Sequence, residues 1–205
     1  MYLFKTPPIV KKLFFKRKWG FPLNKTSVYL TFDDGPHPAI TPWVLDELML
    51  HGIKACFFCV GENVARYPEL FKRILDEGHQ VGNHTMHHNN ALKTKKRNYF
   101  ASIEDANQLI PSKFFRPPYG RLQVSREKEI LKNFMIVMWS WLSYDFDQKV
   151  SISTILENAK RNIHGGEIVV FHDNPKIEKR QKELLPQFIA LIQQKKLEFK
   201  LLPED

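Results

Sequence analysis

The chain has 205 residues, 43% of them hydrophobic and 26% charged, the balance of a single globular domain rather than a disordered or fibrous chain. No apolar run approaches the ~18 residues that a membrane-crossing helix needs. The net charge is +9, but residues 1–25 carry seven Lys/Arg and no acid, which leaves only +2 for the rest and argues against a nucleic-acid-binding face.

The basic segment interleaves Lys5, Lys11, Lys12, Lys16, Arg17, Lys18 and Lys25 with Phe4, Leu13, Phe14 and Phe15. It reads as an N-terminal arm (1–25) that packs its aromatic residues on the domain (26–205), with a weak contact to an anionic surface as the less favoured reading. Its apolar runs are too short for the core of a secretion signal. The sequence therefore predicts a cytoplasmic protein, with association to the cell envelope left open.

From residue 27 onward, strand-like and helix-like runs alternate. "SVYLTF" is a buried strand by composition. "TPWVLDELMLHG" follows as a helix, with Thr41 expected at the N-cap, Pro42 at N1 and Gly52 as the stop. "KACFFCV" is a strand in which Cys56 and Cys59, three residues apart, point to opposite faces ~10 Å from one another, too far for a disulfide. A helix over "YPELFKRILDEG", a strand in "HQVGN", a helix near 98–110 and the strand "KFFR" come next. Then follow the helix "SREKEILKN", one strand over 134–141, the helix "SISTILENAKRNIHGG" and the strand "EIVVF". A helix interrupted near Pro186 and a last strand in "LEFKLL" complete the chain. About seven such units imply right-handed βαβ connections and a parallel sheet. The expected fold is α/β, a distorted or incomplete (β/α) barrel with its active site at the strand C-terminal ends.

Polar clusters follow the strands. Asp33 and Asp34 end the first, "GNHTMHH" the third and "RPPYG" the fourth, while "LSYDFD" and "HDN" follow the fifth and sixth. In a barrel these ends share one face. His84 and His88, four residues apart, can direct two imidazoles to one point, and a carboxylate from another strand end completes a three-ligand metal site with an open position. That separates the two neighbouring carboxylates: Asp34 binds the metal and Asp33 stays free as a base. His87 is the alternative partner for His84.

These segments resemble the signature of the polysaccharide deacetylase family, the NodB-homology domains of carbohydrate esterase family 4. The matching motifs are T-F-D-D-G-P at Thr31–Pro36, the His84-Thr85…His88 pair, R-P-P-Y-G at Arg116–Gly120, and Val170-Phe171-His172. The resemblance implies Asp33 as general base, His172 as general acid, and Asp34, His84 and His88 as ligands of a divalent metal, zinc by default with cobalt or nickel as alternatives. It also implies a Tyr119 backbone N–H in an oxyanion hole and Arg116 orienting Asp33. The implied reaction removes N-acetyl groups from an acetylated sugar or polysaccharide. O-acetyl ester cleavage, or another C–N hydrolysis on the same fold, is the alternative.

One motif departs. Where the family shows D-x-x-D-W, this chain has "LSYDF", with Leu142 at the first Asp and Phe146 at the Trp. Arg116 then needs another partner, and Asp145 is the nearest retained carboxylate, with Asp147 and Asp173 behind it. Trp139, Trp141, Tyr144 and Phe146 are candidates to stack on sugar rings, with packing in the core at least as favoured a reading for the two Trp.

Overall fold

The computed structural model describes residues 2–204. The strands are β1 (Ser27–Asp33), β2 (Cys56–Cys59), β3 (Gln80–Asn83), β4 (Phe114–Phe115), β5 (Met135–Ile136), β6 (Trp141–Leu142), β7 (Ile168–His172) and β8 (Glu198–Phe199). The helices are α1 (Pro8–Leu13), α2 (Thr41–Leu50), α3 (Gly61–Arg66), α4 (Pro68–Asp76), α5 (Lys96–Asn107), α6 (Val124–Ile130), α7 (Ile152–Asn162) and α8 (Glu178–Gln194). Seven strands form a curled parallel sheet in the order β5-β4-β3-β2-β1-β7-β6, and β8 adds to the start of β1. This is the distorted, incomplete barrel that the alternation predicts. Every residue of β1 is buried, as a central strand covered on both faces must be.

Alternation of side chains along β2 separates the two cysteines as expected. Cys59 packs with Phe32 and Phe57, whereas Cys56 joins Tyr29 and Phe58 on the opposite face. Both thiols are free and buried, and burial pushes both well above the ordinary thiol range.

The strand expected over 134–141 is broken into β5 and β6. Between them the Val137 and Met138 carbonyls turn to accept from the Arg116 guanidinium, at 3.1 and 3.0 Å, so they are not spent on a sheet ladder. The N-terminal segment occupies the resulting seam. Lys18 N–H donates to Ile136 O at 2.8 Å, and Met138 N–H donates to Lys18 O at 2.8 Å. On the other edge Thr6 N–H donates to Ser140 O and Leu142 N–H to Phe4 O. Both exposed edges of the curled sheet are thereby covered. Phe4 is buried, stacked on Trp141 and set edge-on to Tyr144.

Two helix expectations differ from the structure. Thr41 is the first helical residue of α2 rather than its N-cap. Its hydroxyl accepts from His37 N–H at 2.8 Å and donates to Asp173 Oδ2 at 2.6 Å, so it is committed to the neighbouring loops. Helix α8 runs unbroken through Pro186. Its buried stripe of Leu184, Leu185, Phe188, Ile189 and Ile192 lies on both sides of the proline, and that packing outweighs the one backbone hydrogen bond lost.

The seam predicts a measurable contribution from the N-terminal segment. Phe4→Ala should lower stability by about 3 kcal/mol, the cost of deleting a buried aromatic ring. Urea denaturation followed by circular dichroism measures it, and a loss below ~0.5 kcal/mol would show that the seam closure adds little.

Candidate active site

Strand register brings the site together. Asp33, the last residue of β1, lies directly beside His172, the last residue of β7. Asn83 ends β3 beside Phe115 of β4, so His84 and Arg116 leave the sheet together. His84 Nδ1 meets the Arg116 carbonyl at 2.7 Å, which makes Nδ1 the protonated nitrogen and turns the Nε2 lone pair toward the mouth. Burial pulls the His84 imidazole down to about 4, although Asp33 and Asp34 oppose it, so the ring is neutral at pH 7.

The three expected metal ligands converge. One Asp34 oxygen and one ring nitrogen each from His84 and His88 all lie within 4.8 Å of one another. Asp34 Oδ1 is 3.2 Å from His88 Nε2 and 3.8 Å from His84 Nε2. Burial alone would raise the Asp34 carboxyl, but the His88 hydrogen bond and the charges of His172, His84 and His88 hold it well below the ordinary range. A carboxylate and two neutral-capable imidazoles, one fixed from behind by a carbonyl, fit a divalent first-row cation. The His84–His88 segment is a loop rather than a helix, with positive φ at Thr85 (66°) and His88 (51°). His87 points away, exposed and paired with Glu62 at 3.2 Å, so it is not the partner.

The Asp33-Asp34-Gly35 turn is held from several sides. Asp34 takes φ 83°, its carbonyl accepts from Asn63 Nδ2 at 2.7 Å, and Gly35 O accepts from Val60 N–H at 2.9 Å. Asp173 sits beneath the turn, fully buried, and a Cβ on Gly35 would fall 1.9 Å from its carboxylate. Burial, reinforced by the Asp34 charge, pushes Asp173 up to about 7 against the pull of the Thr41 hydrogen bond. Non-glycine residues at positive φ cluster here: Asp34, Thr85, His88, Tyr119 and Tyr144, with Lys196 the only other among the described residues. Strain of this kind collects where side chains must be aimed at a site.

The expected pairing of Asp145 with Arg116 is incorrect. Asp145 Oδ1 meets His172 Nδ1 at 2.7 Å, and its Oδ2 accepts the His172 backbone N–H at 2.7 Å. Arg116 is satisfied without it. Besides the Val137 and Met138 carbonyls, its Nη1 donates to Thr31 Oγ1 at 2.7 Å and to Asp33 Oδ1 at 2.6 Å, while the guanidinium lies 4.0 Å over the Phe58 ring. The freed Asp145 acts on the imidazole instead. Burial works against the imidazolium, but the charge and hydrogen bond of Asp145, with Asp34 and Asp33 behind, raise His172 to about 10.

A cavity of about 590 Å³ opens above these groups. Trp139, Leu142 and Phe146 form an apolar wall, and Asn90, Lys93 and Arg121 line the polar side. Trp141 and Tyr144 do not line it. Trp141 packs in the core against Phe188, and Tyr144 faces Tyr2 and Phe4. Tyr119, at φ 60°, sits at the mouth with its ring 4.5 Å from that of His88. Sequence reasoning missed Asn63, which no motif marks, and the place of Asp173 under Gly35, for which its position beside His172 was the available signal.

Fold and site together define a curled (β/α) barrel with a cluster of two histidines and one carboxylate at its mouth that could hold a metal ion, flanked by a separate carboxylate and a separate histidine. The polysaccharide deacetylase family model matches residues 21–136, and the chain belongs to that family. It is 40% identical over 161 residues to a peptidoglycan-N-acetylglucosamine deacetylase of Bacillus cereus, which covers 75% of this chain and 58% of that protein's length. A chitooligosaccharide deacetylase of a Bradyrhizobium strain is 35% identical over 166 residues, 77% of this chain and 75% of its own. Among solved structures, the Bc1960 peptidoglycan N-acetylglucosamine deacetylase in complex with 4-naphthalen-1-yl-N-oxidanyl-benzamide superposes with a TM-score of 0.84. It is 36% identical and covers 97% of this chain and 96% of its own.

The Asp145–His172 pair makes a direct prediction. Asp145→Asn should lower the His172 pKa by roughly two pH units, because the carboxylate is the largest influence favouring the imidazolium. An NMR titration of the His172 ring measures the change, and an unaltered titration would mean that Asp145 does not hold the proton there.

Proposed function

We propose that this protein is a metal-dependent hydrolase that removes N-acetyl groups from an N-acetylated polysaccharide, releasing acetate and a free amine. The observation that carries the reading is the placement of Asp33 and His172 side by side in the β1–β7 register, next to the Asp34–His84–His88 cluster. A divalent cation held by those three residues would supply Lewis acidity to the acetyl carbonyl and to the attacking water.

The chain's own groups account for the proton transfers. Asp33 Oδ1 is engaged by Arg116, which leaves the other oxygen to take the proton from water as the C–O bond forms. The backbone N–H of Tyr119, presented by the turn at positive φ, is assigned to the developing oxyanion. His172 has Nδ1 tied to Asp145, so Nε2 carries the proton that goes to the departing nitrogen as the C–N bond breaks. An amine is a poor leaving group unless protonated, whereas an alkoxide from an ester depends on this less. A histidine held as imidazolium by the Asp145 carboxylate is therefore suited to the departure of an amine. Zinc is the assigned metal, since two imidazoles and one carboxylate with an open position suit it.

Peptidoglycan rich in N-acetylglucosamine is the proposed polymer. Trp139 and Phe146 give faces on which sugar rings stack, and Lys93 and Arg121 meet the carboxylates such a polymer carries.

Acetate release from peptidoglycan, N-acetylglucosamine oligomers and acetylated xylan tests the reading. Release from the first two with little from xylan is expected, and the reverse order would establish an O-acetyl esterase. Chelation should abolish turnover and added zinc or cobalt restore it, with full activity in a preparation shown to be metal-free as the contrary result. Asp33→Asn should keep its metal by elemental analysis yet lose roughly a hundredfold in kcat. Asp34→Asn, His84→Ala and His88→Ala should lose the metal, and His87→Ala should keep it.

A further inference from the structure

The N-terminal segment carries more than the seam requires. Its Phe4 and Arg17 are buried, but Ile9 and Leu13 are each 70% exposed, Phe15 is 74% exposed and Leu23 is 95% exposed. Ile9 and Leu13 are four residues apart in α1, so both project from one face of that helix. Of the seven cations in residues 1–25, only Lys5 and Arg17 pair with a carboxylate among the described residues, Glu167 and Glu127 respectively. Lys11, Lys12, Lys16, Lys18 and Lys25 have no such partner. Lys11, Phe15, Lys16, Pro22 and Lys25 line a single open cavity of about 520 Å³, which joins the end of α1 to the loop before β1. The one acid lining that cavity is Glu167, already paired with Lys5 at 2.8 Å.

We propose that this face, formed by Ile9, Lys12, Leu13, Phe15, Lys16, Leu23 and Lys25, docks the protein on an anionic lipid bilayer. Large apolar side chains held in water beside unneutralised lysines match the two layers of a membrane interface. The apolar groups enter the boundary of the acyl chains, and the ammonium groups meet lipid phosphates in the headgroup layer. Neither feature is explained by the domain's own packing, because Phe4 and Trp19 already make the contacts that hold the segment to the barrel.

The topology gives the docked protein a direction. The cavity is lined by Gly165, Gly166 and Glu167, just before β7, while His172 ends that strand at the active site. The two lie at opposite ends of a parallel strand, ~17 Å apart along it. A protein seated through this face turns its catalytic mouth away from the bilayer, toward a polymer outside the lipid layer rather than a glycolipid within it.

Sedimentation with vesicles tests the proposal, using the full chain and vesicles of phosphatidylcholine with or without a third of phosphatidylglycerol. Binding is expected only to the phosphatidylglycerol vesicles, weakening as salt rises. Lys12→Glu with Lys16→Glu should reduce it by more than tenfold, at about fivefold per lysine. Leu13→Ser with Phe15→Ser should also reduce it by tenfold or more, with thermal unfolding and acetate release from soluble oligomers unchanged in both variants. Absence of binding to phosphatidylglycerol vesicles would overturn the proposal. Equal binding to neutral vesicles would do the same, as would a Leu13→Ser/Phe15→Ser variant that binds as tightly as the parent, which would reduce the effect to bulk charge. A concentration-dependent dimer abolished by Phe15→Ser, with no vesicle binding, would assign the face to a second copy of the chain instead.

Discussion

A buried guanidinium organises this barrel. Arg116 is fully removed from solvent, and burying a cation without compensation is prohibitive. Its compensation comes from across the curl of the sheet: the Thr31 hydroxyl and Asp33 carboxylate at the end of β1, the Val137 and Met138 carbonyls in the seam, and the Phe58 ring of β2 beneath. These partners exist together only when the sheet is curled and the 137–140 stretch is pulled out of it. The same guanidinium fixes one oxygen of Asp33, and the Arg116 carbonyl fixes the tautomer of His84. One residue thus links the closure of the fold to the orientation of both a candidate base and a candidate metal ligand.

The three acids near the mouth have separate tasks because their surroundings differ. Asp34 faces two histidines, and the His88 hydrogen bond together with the charge of His172 holds it ionised. Asp33 faces Arg116. Asp173, buried beneath Gly35 with only one oxygen bonded, is held toward its neutral form and serves as a fixed support for the turn. The glycine above it is required by space, since any side chain there would collide with that carboxylate. Asp145 does for His172 what Arg116 does for Asp33, so the candidate acid and the candidate base, side by side at the ends of β7 and β1, each have one dedicated partner.

The N-terminal segment extends the same economy of design. Its backbone satisfies the two sheet edges left open by the incomplete barrel, which a parallel sheet of seven short strands could not leave bare without inviting pairing with other chains. Its inner aromatics join the core, and its outer face is left to apolar groups and lysines. A segment that reads as an appendage by composition is therefore part of the domain's closure.

Much of this was legible in one dimension. Alternating strand and helix patterns determined the parallel barrel, because periodicity and glycine stops report local backbone geometry directly. The motif residues at strand ends determined the site's membership, since parallel strands deliver all their C-terminal ends to one face. What the tertiary structure alone decided were the partnerships. Asp145 belongs to His172 and not to Arg116 because the seam supplies carbonyl acceptors, and main-chain carbonyls carry no mark in a sequence. Thr41 is drawn from capping its helix to bonding Asp173, and α8 continues past Pro186, because contacts distant in the chain outweigh local preference. The break between β5 and β6 follows from the same cause: its residues have strand composition, but a buried charge elsewhere in the fold claims their backbone.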